Sequence, residues 1–354
     1  MSIRELARHL NISIGTVSRA LNGRHDVNAD TRRRVLKAAA ELGYSPNQSG
    51  RSLRQGTTGM IALIIPTSRQ RALAETIFVT VLDGLRIFLA DRGLDLLVLL
   101  CGQEEDAYAY LRRAVARRIA DGIIIADTQR IDPRIEHLLE KKIPFATFGR
   151  SLSGGSQPWI DLDFAGVAER AVARLVAEGH RRIALATSAT EINYGYIFAD
   201  AYRAALQRRG LPVDEGLILR VENTEDGGHE FGRRILAMRK RPTAALLVNG
   251  TMAVGLYRRL SEASLAPGRD FSVIGFQEEP SARFLAPKVT CFRAELRSLG
   301  VRLGEALLAT MPAYAPAESE APPVQEIWPM ELVPGESDRA TVEAAAGGIA
   351  LDHA

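Results

Sequence analysis

In the run Ser13 to Asn22, Arg19 stands among Thr16, Ser18 and Asn22, short polar groups that a helix would carry away from its Val17 and Leu21 side. A guanidinium in that setting can donate two parallel hydrogen bonds to guanine O6 and N7, worth about 1–3 kcal/mol of discrimination against a wrong base. The hydroxyls of Thr16 and Ser18 and the amide of Asn22 suit phosphate oxygens, contacts that fix register without reading sequence. Ile14 can meet a thymine methyl, whereas Gly15 offers only its backbone. These residue types suit recognition of a duplex.

Such a helix has to be held in place. Ser13 can cap it by accepting from the backbone N–H near Thr16, and Val17 with Leu21 gives an apolar stripe at i and i+4. Upstream, Ile3, Leu6, Ala7 and Leu10 space a second short helix, joined through Asn11-Ile12-Ser13. Two helices at a tight turn are the helix-turn-helix plan, whose second helix lies in the DNA major groove with its N-terminal side chains at base edges. Past the loop Asn22-Gly23-Arg24-His25-Asp26, Asn28 can cap a third helix, in which Val35, Leu36, Ala39 and Leu42 recur at helical spacing until Gly43. From Ser13 to Asn22 alone, a helical hairpin with a solvated polar face is the alternative.

Charge supports the first reading. Residues 1–56 carry ten Lys/Arg against four Asp/Glu, a net of +6, which leaves −3 on the remainder of a chain whose total is +3. A basic head on a mildly acidic body is the distribution expected where only the head meets a polyanion. The 354 residues, 46% hydrophobic and 25% charged, suit an ordinary globular protein of two or three domains. No basic segment leads into a long apolar run, so neither export nor membrane insertion is signalled and a cytoplasmic, nucleoid-associated location is expected. Cys101 and Cys291 lie in apolar runs without a CxxC pair, and are expected to be buried thiols.

The head resembles that of the lac-repressor (LacI/GalR) family of bacterial transcription regulators. The motifs that carry the resemblance are Thr16-Val17-Ser18-Arg19, Leu21-Asn22, Val27, Thr31-Arg32 and Leu42-Gly43-Tyr44-Ser45-Pro46-Asn47. The resemblance implies that Ile14, Gly15 and Arg19 face bases, and that Thr16, Ser18 and Asn22 hold phosphates. Ile14 and Gly15 depart from the commoner polar pairs at those positions, so no operator sequence follows. Pro46 to Arg54 matches the family's hinge helix, and Leu53 its minor-groove leucine; an apolar wedge between base steps costs a few kcal/mol of unstacking and gains a kink that wraps more protein surface. Gly50 stands where the family usually has alanine, at a cost of about 1 kcal/mol of helix stability, so this hinge is expected to order only on DNA. Without the resemblance, the stretch reads as a polar linker with an incidental leucine.

From Met60 onward, short apolar runs alternate with amphipathic helices. Met60–Ile65, Asp95–Leu100, Gly122–Ala126 and Phe145–Phe148 read as buried parallel strands; Trp159–Asp161, Arg182–Ala186, Leu217–Arg220, Ala244–Val248 and Phe271–Ile274 read as a second set. Helices are expected around Phe164–Glu178, Phe198–Arg209, Gly228–Met238 and Thr251–Ala263, among others. Two doubly wound units with a cleft between them follow, with ligands at the carboxyl ends of strands. The resemblance extends here through Gly179-His180-Arg181-Arg182-Ile183-Ala184, Val273-Ile274-Gly275-Phe276 and Leu247-Val248-Asn249, and implies a periplasmic-binding-protein-like core. The expected organisation is thus an all-α helix-turn-helix headpiece (1–45), a hinge (46–57) and an α/β core (58–334). One subdomain would take 58–156 and 288–334, the other 157–287. Glu295–Ala309 would be the last helix, Gln325–Leu332 the last strand, and 335–354, rich in Ala and Gly, a disordered tail.

No GxxxxGK[ST], GxSxG, HExxH or Cys-rich metal pattern occurs, and His229-Glu230 lacks a second histidine, so neither catalysis nor a metal or cofactor is expected. Asp127, Asp161 and Asp163 near strand ends read as helix caps. The resemblance implies an effector cleft in which Asn249 keeps a family asparagine and Arg150 the arginine of a strand-end motif. It also shows two departures: the family's arginine falls on or near Phe198, and the aspartate after Gly275-Phe276 becomes Gln277. Tyr194, Tyr196, Asn193 and Gln277 would then form a neutral, aromatic pocket suited to an uncharged sugar. The reading is a homodimeric regulator, a repressor binding a double-stranded DNA operator under effector control. The alternative is a sugar-binding or sugar-metabolising protein with an accessory helical head, opposed by the missing signal segment and catalytic motifs.

Overall fold

The computed structural model describes residues 2–21, 26–44, 57–66, 76–102, 104–314 and 322–339. The chain divides into two compact units, Met1–Gly59 and Met60–Ala354.

In the first unit, helix α1 spans Ile3–Leu10, α2 Ile14–Leu21 and α3 Ala29–Glu41. Ser2 and Glu5 form a reciprocal capping box on α1, and Asn11 takes the left-handed conformation that ends it. Asn28 caps α3 by accepting from Asp30 N–H at 2.8 Å. Leu6, Ala7, Val17, Ala20, Val35, Ala38 and Ala39 are buried together, flanked by Ile3, Leu10, Ile12, Leu21, Val27 and Tyr44. Leu36 and Leu42, expected inside, are exposed. Three helices this short enclose little volume, and alanines on α3 fill it. Asn22 and Leu53 lie outside the described residues, as does almost all of the hinge.

In the second unit, strands β1 (Met60–Pro66), β2 (Asp95–Cys101), β3 (Gly122–Ala126), β4 (Phe145–Phe148), β5 (Trp159–Leu162) and β11 (Gln325–Trp328) form a parallel sheet in the order β11-β5-β4-β3-β1-β2. Strands β6 (Ile183–Ser188), β7 (Ile218–Val221), β8 (Ala244–Leu247) and β9 (Ser272–Ile274) form a second parallel sheet in the order β7-β6-β8-β9. Helices α4 (Thr76–Ala90), α5 (Ala107–Ala116), α6 (Pro133–Glu140) and α11 (Leu296–Leu308) accompany the first sheet. Helices α7 (Phe164–Ala177), α8 (Asn193–Arg208), α9 (Glu225–Leu236) and α10 (Met252–Glu262) accompany the second. The result is two doubly wound lobes of the periplasmic-binding-protein type.

Three expectations are corrected. Trp159–Leu162 pairs with β4 and β11 and so belongs to the first lobe; the second begins after it. The expected single strand at 325–332 is two, since β12 (Glu331–Val333) leaves the sheet to pair antiparallel with β10 (Cys291–Arg293). Residues 335–338 are not a loose tail. Gly335 N–H and Ser337 Oγ bond Thr290 Oγ1 and the Val273 carbonyl at 3.0 and 2.6 Å, and buried Asp338 bonds Thr290 Oγ1 and Arg174. Such anchoring through side chains leaves no periodic apolar trace. Residues 340–354 lie outside the described residues.

Candidate nucleic-acid and ligand sites

On α2, Ser13 Oγ accepts from Thr16 N–H at 3.0 Å, as its position predicts, and also bonds Thr16 Oγ1 at 2.8 Å. Ile14, Gly15 and Arg19 are exposed, while Thr16 and Ser18 are half-buried beside them. A Cβ at Gly15 would lie 3.4 Å from Arg19 Nη1, an ordinary van der Waals contact, so the guanidinium lies over this face of the helix. Arg19 Nε lies 3.3 Å from Asp26 Oδ2, with both side chains about half exposed or more. Sequence reasoning placed Asp26 only in a loop. An exposed pair of this kind is worth about 0–1 kcal/mol, so a better acceptor can displace it.

In the second unit, a cleft partly open to solvent lies between the lobes. The first lobe lines it with Phe78, Asp127, Thr128, Phe148, Arg150 and Asp161, and the second with Tyr194, Asn249, Gly250, Phe276, Gln277 and Glu279. Phe164 stacks on Tyr194 (centroids 4.8 Å apart) and on Phe276 (4.3 Å), a row of three near-parallel rings. Phe78 meets Phe148 edge-on at 6.0 Å. Arg150 Nε donates to Asp161 Oδ2 at 2.9 Å. Burial pushes the Asp161 carboxyl above the usual carboxylate range, against the opposing pull of Arg150. Two buried atoms of the lining, Arg150 Nη2 and Gln277 Oε1, have no hydrogen-bond partner among the described residues.

Arg150, Tyr194, Asn249 and Gln277 thus come together at the cleft. Tyr196 and Phe198 do not. Helix α8 begins at Asn193, five residues before the expected Phe198, because Ile192 at its start makes no side-chain cap that sequence could reveal. On that helix Tyr194 and Phe198 are one turn apart, and Phe198 sinks below the cleft, fully buried and edge-on to Phe164 and Phe276. Tyr196 is turned by about half a circle from Tyr194 and points elsewhere. Asn193 donates to the Arg150 carbonyl instead of lining the cleft. Asp163 caps α7 as expected, but Asp127 and Asp161 line the cleft, which is therefore not composed of neutral groups alone. Glu279 was missed; it is buried against Gly250, where a Cβ would fall 2.6 Å from its Cγ.

His229 is half-exposed and bonds Glu262 at 2.9 Å. Among the described residues, no group of three or more His, Cys, Asp or Glu is placed to hold a metal ion. No described helix is long and apolar enough to cross a membrane.

Comparison with known proteins matches residues 2–47 to the bacterial regulatory proteins of the lacI family, and residues 172–337 to a periplasmic binding protein-like domain. The HTH-type transcriptional regulator AglR of Rhizobium meliloti (strain 1021) is 33% identical over 339 residues, which cover 94% of this chain and 93% of AglR. The chain belongs to the lacI family of bacterial regulatory proteins. A second lacI-family relative, the HTH-type transcriptional regulator RafR of Escherichia coli, is 34% identical over 74% of this chain and 78% of its own. The solved complex of the transcriptional regulator CelR with cellobiose is similar throughout, with a TM-score of 0.72, 25% identity and coverage of 95% of this chain and 99% of that one. This lacI-family chain is accordingly a DNA-binding transcription regulator under effector control.

Proposed function

We propose that this regulator is a homodimeric repressor whose operator affinity changes when a neutral sugar of about disaccharide size closes the cleft. The observation that carries the ligand class is the pair of unpartnered atoms, a donor at Arg150 Nη2 and an acceptor at Gln277 Oε1, set beside the Tyr194-Phe164-Phe276 row. Leaving buried polar atoms unsatisfied costs about 1–3 kcal/mol each, and a polyhydroxylated ring supplies both partners while its apolar face meets aromatic carbon. Asp161 balances the charge of Arg150, so the cleft offers a donor edge without a net cation, which disfavours phosphorylated sugars. Cellobiose in the CelR complex supports the same size and class.

At the operator, Arg19 takes the base-reading role with Ile14 and Gly15, and Thr16, Ser18 and Asn22 hold phosphates. Leu53 supplies the minor-groove wedge. Two-fold symmetry of the dimer calls for a near-palindromic site. The cytoplasm is the expected compartment, and the cleft is assigned to binding, not catalysis.

The test is a thermal-shift screen of full-length protein against mono- and disaccharides, cellobiose included, followed by operator binding on a duplex selected from a random pool. A ligand at 100 times its Kd adds about 2.7 kcal/mol of stability. One saccharide should raise the melting temperature and alter operator affinity. If none does either, the sugar assignment is wrong; if no duplex is selected, the operator assignment is.

A further inference from the structure

We infer that Arg130 and Tyr196 are positioning residues for effector control: they join the lobes in a latch at the rim of the cleft and set how often the lobes part before any effector arrives. The inference goes beyond the identity of the effector and does not depend on it.

At the rim of the cleft the lobes meet in a short antiparallel contact. Gln129, just past β3, bridges Ile192, just before α8. Asn193 N–H donates to the Thr128 carbonyl at 2.8 Å, and Arg130 N–H to the Glu191 carbonyl at 3.3 Å. Two strands of this length do not hold together by backbone bonds alone. Side chains add the rest. The Arg130 guanidinium lies 5.0 Å from the centroid of the Tyr196 ring, and its Nη1 lies 3.7 Å from Asp200 Oδ2. The same ring has the Arg220 guanidinium 5.6 Å from its centroid, so it is shared by two cations, one from each lobe.

Arg220 prepares the second lobe's half. It donates to the carbonyls of Ser188, Ala189 and Thr190 at 3.0–3.1 Å and to Glu191 at 2.7 Å. Tyr196 O–H also donates to Glu191. The segment 188–191 is thereby fixed from its own side, and Arg130 is the cation that crosses from the other lobe. Arg130 and Asp200 are 43% and 59% exposed, so neither contributes to a buried core, and their placement at the seam has its effect on opening.

The seam also reaches the ligand site. The carbonyl of Arg150 accepts from Thr128 Oγ1 of its own lobe and from Asn193 Nδ2 of the other, both at 2.8 Å. The residue that offers Nη2 to the cleft is thus tied by its backbone to the contact that Arg130 and Tyr196 hold shut. Exposed cation–π and ion-pair contacts each shift an equilibrium by roughly two- to fivefold. That is enough to tune a response, because apparent effector affinity scales with the fraction of molecules already in the competent state.

Hydrogen exchange on the full-length, effector-free protein tests this directly, since the Arg130 and Asn193 amides are themselves the bonds across the seam. In Arg130→Ala and in Tyr196→Ala, peptides covering 128–131 and 191–194 should exchange at least threefold faster than in the native protein, with β3 and β6 peptides unchanged. Tyr196→Phe, which keeps the ring and loses only the O–H bond to Glu191, should stay nearer the native rates than Tyr196→Ala does. The double alanine variant should gain less than the two single gains combined, because the Arg130–Tyr196 contact is lost in both singles. Native exchange at both seam peptides in Arg130→Ala would overturn the latch. So would Tyr196→Phe behaving like Tyr196→Ala. Should Tyr196→Ala loosen β6 as well, the exposed Arg130→Ala decides alone.

Discussion

Arg150 and Asp161 face one another from the ends of neighbouring strands β4 and β5, with Nε donating to Oδ2 at 2.9 Å. Asp161 is almost completely buried and Arg150 about three-quarters so. The bond fixes the guanidinium plane and so decides where Nη2 points. Holding a buried carboxylate in place costs desolvation, which the arginine only partly offsets, and the arrangement is therefore one of orientation more than of stability.

Replacing Asp161 by Asn keeps the shape and an acceptor oxygen but removes the charge, so the Arg150 guanidinium is held less firmly in its plane. Effector binding should weaken at least tenfold, and folding stability should change by only about 1–3 kcal/mol in either direction. Urea unfolding and calorimetric titration of the ligand found in the saccharide screen give the two numbers. Undiminished affinity would show that the pair does not orient Nη2.

Gln277 presents the unpartnered acceptor of the second lobe. Gln277→Ala should raise the effector concentration for half-maximal operator response by tenfold or more, while effector-free operator affinity stays within twofold. Fluorescence anisotropy on the selected operator duplex measures both. An unchanged response curve would remove Gln277 from the site.

Gly250 lets the 277–279 loop close onto the end of β8. An added Cβ would lie 2.3 Å from the Gln277 carbonyl oxygen and 2.6 Å from Glu279 Cγ, distances that force the loop to move. Gly250→Ala should therefore cost effector affinity tenfold or more. Heat unfolding should be affected less, by about 1–3 kcal/mol, the usual range for overpacking. If affinity survives intact, the loop does not touch the ligand.

Arg19 is paired with Asp26 across an exposed 3.3 Å contact. Arg19→Ala should relax preference at one base pair of each half-site, at a cost of about 1–3 kcal/mol on the preferred base. Asp26→Ala should leave that preference in place, since it removes a competitor for the guanidinium. Binding to a panel of single-base operator variants separates the cases, and a uniform loss over all variants in Arg19→Ala would mark a phosphate contact instead.

Much of this architecture is written locally. Ser13, Asn28 and Asp163 announce helix starts because a capping side chain sits next to the amide it serves, and runs such as Ile61–Ile65 announce buried strands. Features fixed by distant partners leave no such trace. Helix α8 starts at Asn193 without a cap, and that shift of five residues decides which of Tyr194, Tyr196 and Phe198 faces the cleft. Trp159–Leu162 changes lobe because its neighbours on the sheet are β4 and β11, the second more than 150 residues away in sequence. Glu279 enters the cleft only because Gly250, from another strand end, makes space for it.

The two cysteines give the last prediction. Burial pushes the Cys291 thiol up to about 12 and the Cys101 thiol above its usual range, and both side chains are nearly inaccessible. At pH 8 a thiol with a pKa near 12 is ionised in about one molecule in ten thousand, and the thiolate is the reactive form. Native protein mixed with a disulfide reagent such as DTNB at pH 8 should therefore show no rapid phase, and denaturation in guanidinium should release two thiols per chain. Cys291 sits in β10, which pairs with β12, so its slow modification has to wait for that ladder to open. The rate should then level off at high reagent concentration, at the opening rate itself. A stoichiometric burst from the native protein would mean that β10 is far more accessible than its packing shows.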